Sequence, residues 1–417
     1  MSRQQNGGIV EDVLEFSTAL GSLLIDAAEG LLTPQVLNPS VVLDLTGNPL
    51  ARAVDGLRLF LAGGNVWTSA EELAKKIEIF VLVPAVAPLI DEPPQGLLPL
   101  PQMVANAYGL GDFPALWAIE GLGHDYGDRF WQQGMVPQGI LSPAVTQELP
   151  SGSLPMLNAG IGLSMARMLY DGNALAGFPR GLRWDTPAEE IRRMVAEIVR
   201  LDRDNATPGY TGAAYENMGL ATRLLRPTMV PAVDQAIREV APEVRGYFWH
   251  GVGRMSYFWP VNFLPCSDWQ VFQMARREAP DEAALLNAWA GAAWGYALVT
   301  QQNPEIMADL LLQLNGEELA QNGGFANGIA SSMMMRFDTT PDAPFIESFI
   351  DYQPSDPRVA DLWQRLVRTP AETALNEYYP VLKQGDRLGE IFQYNDLPAL
   401  VAQVRGAKGA DSRLDPF

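Results

Sequence analysis

The chain has 417 residues, 47% of them apolar, and a formal net charge of -20. So strong an acidic excess argues against non-specific binding to nucleic acid or to an anionic membrane, because both need a basic surface. The single cysteine, Cys266, excludes an intrachain disulfide framework and points to a reducing cytoplasm.

The N-terminal run Met1 to Gly8 lacks the basic stretch and apolar core of a signal peptide. Val10 to Leu32 carries apolar residues at helical spacing and is read as an amphipathic helix. Residues 33–60 are mixed and punctuated by Pro34, Pro39 and Pro49. Ser69 ahead of Glu71 and Glu72 signals a helix start, followed by Leu73 to Val83. The longest apolar run, Ile79 to Ile90, is too short to span a bilayer and is broken by Pro84 and Pro88. The Pro-rich stretch from Asp91 to Pro101 marks a boundary. It divides a helical extension, residues 1–100, from a repeat region, residues 101–340, with C-terminal helices over 341–417.

The repeat region carries a Gly-apolar-(Gly or Ala) motif six times, each copy at the front of a stretch read as helical: at Gly121, Gly160, Gly212, Gly251, Gly291 and Gly328. The steps are 39, 52, 39, 40 and 37 residues, each long enough for two helices and their turns. Between the copies run polar helices such as Pro187 to Leu201 and Pro280 to Trp289. The residues before each first glycine are Glu120, Ala159, Thr211, His250, Ala290 and Asn327; those three after it are His124, Leu163, Tyr215, Arg254, Trp294 and Ser331. The polar–apolar–polar order occurs twice, which implies a duplication of about 130 residues with halves near 101–235 and 236–340. Members of the two columns stand four apart and share a helix face. Glycine costs up to about 1 kcal/mol against alanine in a helix, so its recurrence implies close packing or a ligand over the bare patch. The predicted fold is all-α: a helical-hairpin repeat array, closed or strongly curved as an α/α toroid, with two pseudo-equivalent halves. Helices over Pro357 to Leu366, Pro370 to Tyr378 and Asp396 to Val404 follow, and the end from Ala410 frays.

The richest constellation is Trp117 to Asp128, where Glu120, His124 and Asp128 recur every four residues with Asp125 beside them. A carboxylate four residues from a histidine can orient the imidazole for acid–base work or hold a metal with it; an ordinary intrahelical polar ladder looks the same. The chain has two histidines, and His124 and His250 fall in the first unit of each half. His250 and Arg254 share a face within an aromatic frame that includes Trp249 and Trp259, and Arg254 suits a carboxylate, Glu120 or Glu216 among them. Tyr215 and Glu216 form a third polar cluster. Rossmann and Walker loops, HExxH, CxxC, EF-hand and GxSxG motifs are absent, so no cofactor or metal is expected.

The runs Ala118 to Gly121, Gly160 to Arg167 and His250 to Phe258 resemble those of an uncharacterised bacterial family associated with enediyne polyketide gene cassettes, over about residues 113–300. The resemblance implies bacterial specialised metabolism near a polyketide or polyene intermediate. The resulting expectation is a cytoplasmic cyclase or isomerase acting on a hydrophobic polyene, polyketide or isoprenoid by acid–base chemistry. Glu120, His124, Asp125 and Asp128 would be its catalytic set. Tyr215, Glu216, Trp249, His250, Arg254, Trp259 and Trp294 would line the substrate pocket, with Trp289 adding to its apolar wall. A non-catalytic helical-repeat scaffold is the alternative, and a metalloenzyme using Glu120, His124 and His250 the third reading.

Overall fold

The computed structural model describes residues 66–82, 91–92, 96–259, 268–313 and 316–411. The helix expected over Val10 to Leu32, and Cys266, lie outside these residues. The described chain is mainly helical, as its composition and periodicity predict, with one two-residue antiparallel ladder pairing Asp91–Glu92 with Gly96–Leu97. Among the described residues the first helix, α1, spans Val66–Leu82 and so begins ahead of Ser69. Helix α2 covers Leu100–Tyr108, with Pro101 in its first turn, where the missing N–H is not needed.

Six helices of 14 to 21 residues carry the glycine motifs: α3 (Asp112–Gln132), α4 (Leu154–Asp171), α6 (Thr211–Leu225), α8 (Arg245–Phe258), α10 (Glu282–Thr300) and α12 (Gly324–Thr339). Between them stand α5 (Ala188–Asn205), α7 (Val230–Val240), α9 (Asp268–Glu278) and α11 (Pro304–Gln313). The intervening α5 has a single apolar stripe, Ile191, Met194, Val195, Ile198 and Val199, at helical spacing, and a charged opposite face. The glycine helices differ: α6, α8, α10 and α12 are buried on nearly every side. They pack in the order α3, α4, α6, α8, α10, α12, each against the next. The last reaches back toward the first, for Arg336 Nη1 on α12 donates to the Asp112 carbonyl at the start of α3, at 2.8 Å.

The glycines set these contacts. A methyl placed on Gly160 would overlap the Glu120 carbonyl oxygen, and one on Gly123 the Leu157 carbonyl. Gly251 stands in the same way on the Glu216 carbonyl, with Gly219 on that of Phe248; Gly291 stands on the His250 carbonyl, with Gly253 on that of Ala288. In each pair the residue numbers run in opposite directions, so the neighbouring helices are antiparallel. Each contact uses two glycines, one three residues after the carbonyl on its own helix and one on the partner. Backbone thus touches backbone, which only a residue without Cβ permits. Between α10 and α12, Gly328 meets the Ala290 carbonyl and Ala293 takes the second place.

Two sequence expectations are corrected here. The motifs lie within helices and not at their front, with Gly212 and Gly328 in early turns; the stretch Pro280 to Trp289 runs straight on through Gly291 as α10. The α6 register is also different. Gly212 packs on the Gly389 carbonyl and on the Tyr247 side chain of α8, so the α6 glycine that meets the α8 backbone is Gly219 and the residue in the column is Glu216, not Thr211.

The C-terminal helices expected at Pro357 and Pro370 merge into one rod from Pro357 to Gln384, with wider π-turns at Gln364–Arg368 and Ala374–Tyr378. Pro370 and Pro380 explain these turns. Each lacks an N–H and crowds the carbonyl four residues back, at Leu366 and Asn376, and both carbonyls lie inside a π-turn. A last helix, α13, spans Leu397–Asp411.

Candidate functional site

Where α3, α6 and α8 converge, four ionisable side chains meet in the core. Arg254 on α8 is the hub. Its Nη2 donates to both oxygens of Glu120 on α3, at 2.8 and 2.9 Å, and its Nη1 donates to Glu216 on α6 at 2.8 Å. The other Glu216 oxygen lies 2.7 Å from Nδ1 of His250. Helical geometry makes this possible: His250 and Arg254 are one turn apart on α8, so both reach the same carboxylate. Gly219 and Gly251 hold α6 and α8 close enough for that reach. The guanidinium lies over the Trp294 ring, 4.5 Å from its centroid, as a cation–π contact. None of the four is more than 3% exposed.

Burial sets the protonation states. Desolvation raises the Glu216 carboxyl, but the Arg254 charge and the hydrogen bonds from His250 and Arg254 outweigh it and hold Glu216 below the usual carboxylate range. Glu216 is therefore an ionised acceptor, and His250 Nδ1 carries the proton it shares with it. Glu120 is pushed up instead, first by burial and then by Glu216, with Arg254 offsetting part of that. Its two oxygens accept from Arg254 as a carboxylate does, yet it is the first of the two acids to gain a proton as pH falls. Arg254 is desolvated too, but the two glutamates hold its pKa above the ordinary arginine value. With Glu216 and Arg254 cancelling, the proton on Glu120 decides whether those three side chains are together neutral. Three nitrogens around it have no hydrogen-bond partner: His250 Nε2, Arg254 Nε and Trp294 Nε1.

The expected catalytic face of α3 divides in two. Glu120 turns inward, whereas His124, Asp125 and Asp128 belong to a partly exposed ladder between α3 and α4. His124 Nε2 lies 3.3 Å from Arg167 Nη1 and 3.5 Å from Asp128; Asp128 accepts from Ser164 at 2.6 Å, and Asp125 pairs with Arg129. Burial, the main influence, lowers the His124 pKa. Of the residues expected to bind substrate, Glu216, His250, Arg254 and Trp294 come together. Tyr215 faces away toward Tyr247 and Arg203, and Trp249 donates to Asp234 at 2.7 Å. Trp289 donates to the Phe272 carbonyl at 3.2 Å, and Trp259 is half-buried past the end of α8. The trio Glu120, His124 and His250 is not assembled. Among the described residues, no group of three or more His, Cys, Asp or Glu side chains is disposed to hold a metal. Arg254 fills the gap between the two glutamates.

Two buried features escaped the sequence reading. Lys76 on α1 pairs with Glu72 at 2.7 Å and lies 4.0 Å from the Tyr257 centroid, one turn beyond Arg254. Asp202 on α5 is 1% exposed and neither carboxylate oxygen has a hydrogen-bond partner, so burial raises its pKa well above the ordinary value. For Asp202 the available signal was a charge within an otherwise apolar helical stripe, and for Lys76 it was the four-residue spacing from Glu72. Among the described residues no helix is long and apolar enough to cross a membrane. No family model matches the chain, and no curated protein or solved structure matches it either.

Proposed function

We propose that the protein is an acid–base enzyme whose proton-transfer group is His250. The observation that carries this reading is the Glu216–His250 pair. A buried carboxylate fixes Nδ1 and leaves Nε2 unpartnered, which is how an imidazole is oriented to give and take a proton. Glu120 is the second proton carrier, and Arg254 with Trp294 forms the polar and aromatic wall. The role given to His124 on sequence grounds passes to His250, because His124 stands in the surface ladder. The proposed reaction remains a cyclisation or rearrangement of a hydrophobic polyene, polyketide or isoprenoid in the cytoplasm; the family resemblance implies bacterial specialised metabolism near a polyketide or polyene intermediate, and the reaction type is inferred from the acid–base residues and the missing cofactor motifs. It needs proton transfer and no cofactor. The reading also takes the six glycine helices as a closed α/α ring of two pseudo-equivalent halves. Its support is the matching contact of α3 with α4 and α8 with α10, together with the Arg336–Asp112 link.

The test is turnover in D2O. The protein is incubated with a panel of linear polyenes, polyketide chains and isoprenoid alcohols, and products are read by mass spectrometry for deuterium uptake. Wild type should convert at least one substrate class, His250→Gln should lose conversion while staying folded, and His124→Gln should keep it. Conversion by His250→Gln at the wild-type rate, or none by wild type, overturns the reading.

The closed burial of the cluster favours a second reading, in which the four side chains fasten α3, α6 and α8 in a non-catalytic scaffold. That reading expects His250→Gln to change stability alone.

A further inference from the structure

Among the described residues, the two most exposed large apolar side chains stand in one loop. It joins α4 to α5 over residues 172–187, and in it Trp184 is 53% and Leu175 50% exposed. The tryptophans of the glycine helices are disposed otherwise: Trp117, Trp249, Trp289 and Trp294 are buried.

Closed turns display both residues. Asn173 and Phe178 exchange backbone hydrogen bonds at 2.7 and 3.1 Å, and the Asn173 side chain accepts from the Leu175 N–H at 2.9 Å. Gly177 takes the positive φ of 82° in that turn, and Arg193 donates to its carbonyl at 2.7 Å. Thr186 closes the second turn around Trp184. Its Oγ1 accepts from the Arg183 N–H at 2.8 Å, and its own N–H donates to the Arg183 carbonyl at 3.0 Å. Phe178 and Leu182 root the loop in the core.

The same loop carries free positive charge. Arg180 and Arg183 are exposed, and among the described residues neither side chain has an ion pair or hydrogen bond. On the neighbouring α5 the acidic excess takes up the arginines instead: Arg192 pairs with Glu239 and Arg200 with Asp204. One carboxylate, Asp185, stands in the loop against two guanidinium groups. A folded protein partner buries about 800 Å² on each side, more than a loop of two turns presents. A lipid surface asks for less. Indole and leucine side chains enter the boundary between headgroups and acyl chains, and arginine holds phosphate bidentately. The formal charge of -20 gives no general attraction to an anionic bilayer, so the attachment has to be local.

We propose that the 172–187 loop docks the protein on an anionic phospholipid surface, with Trp184 and Leu175 in the interface and Arg180 and Arg183 on the headgroup phosphates. The site uses no residue of the cluster around His250 and is independent of the activity proposed for it.

Sedimentation with phosphatidylcholine vesicles containing about one-third phosphatidylglycerol tests it, at about 0.15 M salt, where charges beyond about 8 Å are largely screened. Wild type should sediment with these vesicles and much less with phosphatidylcholine alone. Arg180→Gln and Arg183→Gln should each weaken binding about fivefold. Trp184→Ala should weaken it about tenfold. Arg405→Gln removes an exposed arginine on α13 that also lacks an acid partner among the described residues, and it should change nothing. Acyl-brominated lipid should quench a share of the wild-type tryptophan emission that is missing in Trp184→Phe, with folding of every variant checked by circular dichroism. Wild type left in solution, equal binding to phosphatidylcholine alone, equal weakening by Arg183→Gln and Arg405→Gln, or quenching unchanged in Trp184→Phe overturns the proposal.

Discussion

Replacing Gly251 with alanine should destabilise the protein even though alanine is the better helix former. On propensity alone the change is worth up to about 1 kcal/mol in favour of the variant. The new methyl, however, would overlap the Glu216 carbonyl oxygen and stand 2.8 Å from the Leu220 nitrogen and 3.1 Å from the Glu216 carbonyl carbon. All three are backbone atoms of α6, so no rotamer change relieves the overlap and the helices must part. Overpacking of this kind costs about 1–3 kcal/mol, and rigid backbone on both sides puts Gly251 at the upper end. The net loss expected is about 2 kcal/mol, a fall in Tm of roughly 2–4 °C for a chain of this size. The matched control is Gly406→Ala in α13, where a methyl meets nothing within 4 Å. That variant should be unchanged or slightly more stable. Thermal and urea unfolding followed by circular dichroism measure both. If Gly251→Ala unfolds at or above the wild-type temperature, the glycines are not what sets the helix spacing.

Three further outcomes follow from the buried charges. Arg254→Met leaves Glu120 and Glu216 facing each other without a cation and should cost about 3–5 kcal/mol at pH 7, less in acid as the carboxyls gain protons; urea unfolding at pH 5 and 7 measures the difference. Asp202 has a folded-state pKa raised above its unfolded value, so the folded state binds its proton more tightly and stability falls as pH rises through the interval between the two. Asp202→Asn should remove that slope, giving a variant more stable than wild type at neutral pH and no better below about pH 4, where both forms are neutral. Glu120→Gln keeps an acceptor for Arg254 and removes one of two like charges, so it should change stability by no more than about 1 kcal/mol in chemical unfolding. A loss as large as that of Arg254→Met would contradict the charge assignment.

The mainly helical class was legible from periodicity, and the close helix contacts left a mark in the sequence, because backbone touching backbone demands a residue without Cβ. The helix-face rule also placed His250 and Arg254 together, since residues four apart on one helix need no tertiary knowledge. Other features were not legible for a physical reason. Glu216 lies four residues past the first glycine of its motif, and only the contact of Gly219 with the Phe248 carbonyl shows which α6 glycine meets the α8 backbone. Glu120 and His124 share a face by spacing, yet a helix packed on two sides sends neighbouring turns to different partners. Glu120 meets Arg254, 134 residues away, while His124 meets Arg167.

In the proposed enzyme a proton is held between His250 Nδ1 and Glu216, and Nε2 has no hydrogen-bond partner. Nuclear magnetic resonance of the two imidazoles tests this directly, because the chain has only two histidines and His124→Gln assigns both. A downfield, slowly exchanging Nδ1 proton should be present in wild type and in His124→Gln and absent in Glu216→Gln. A spectrum without that proton in wild type, or one that keeps it in Glu216→Gln, would contradict the account.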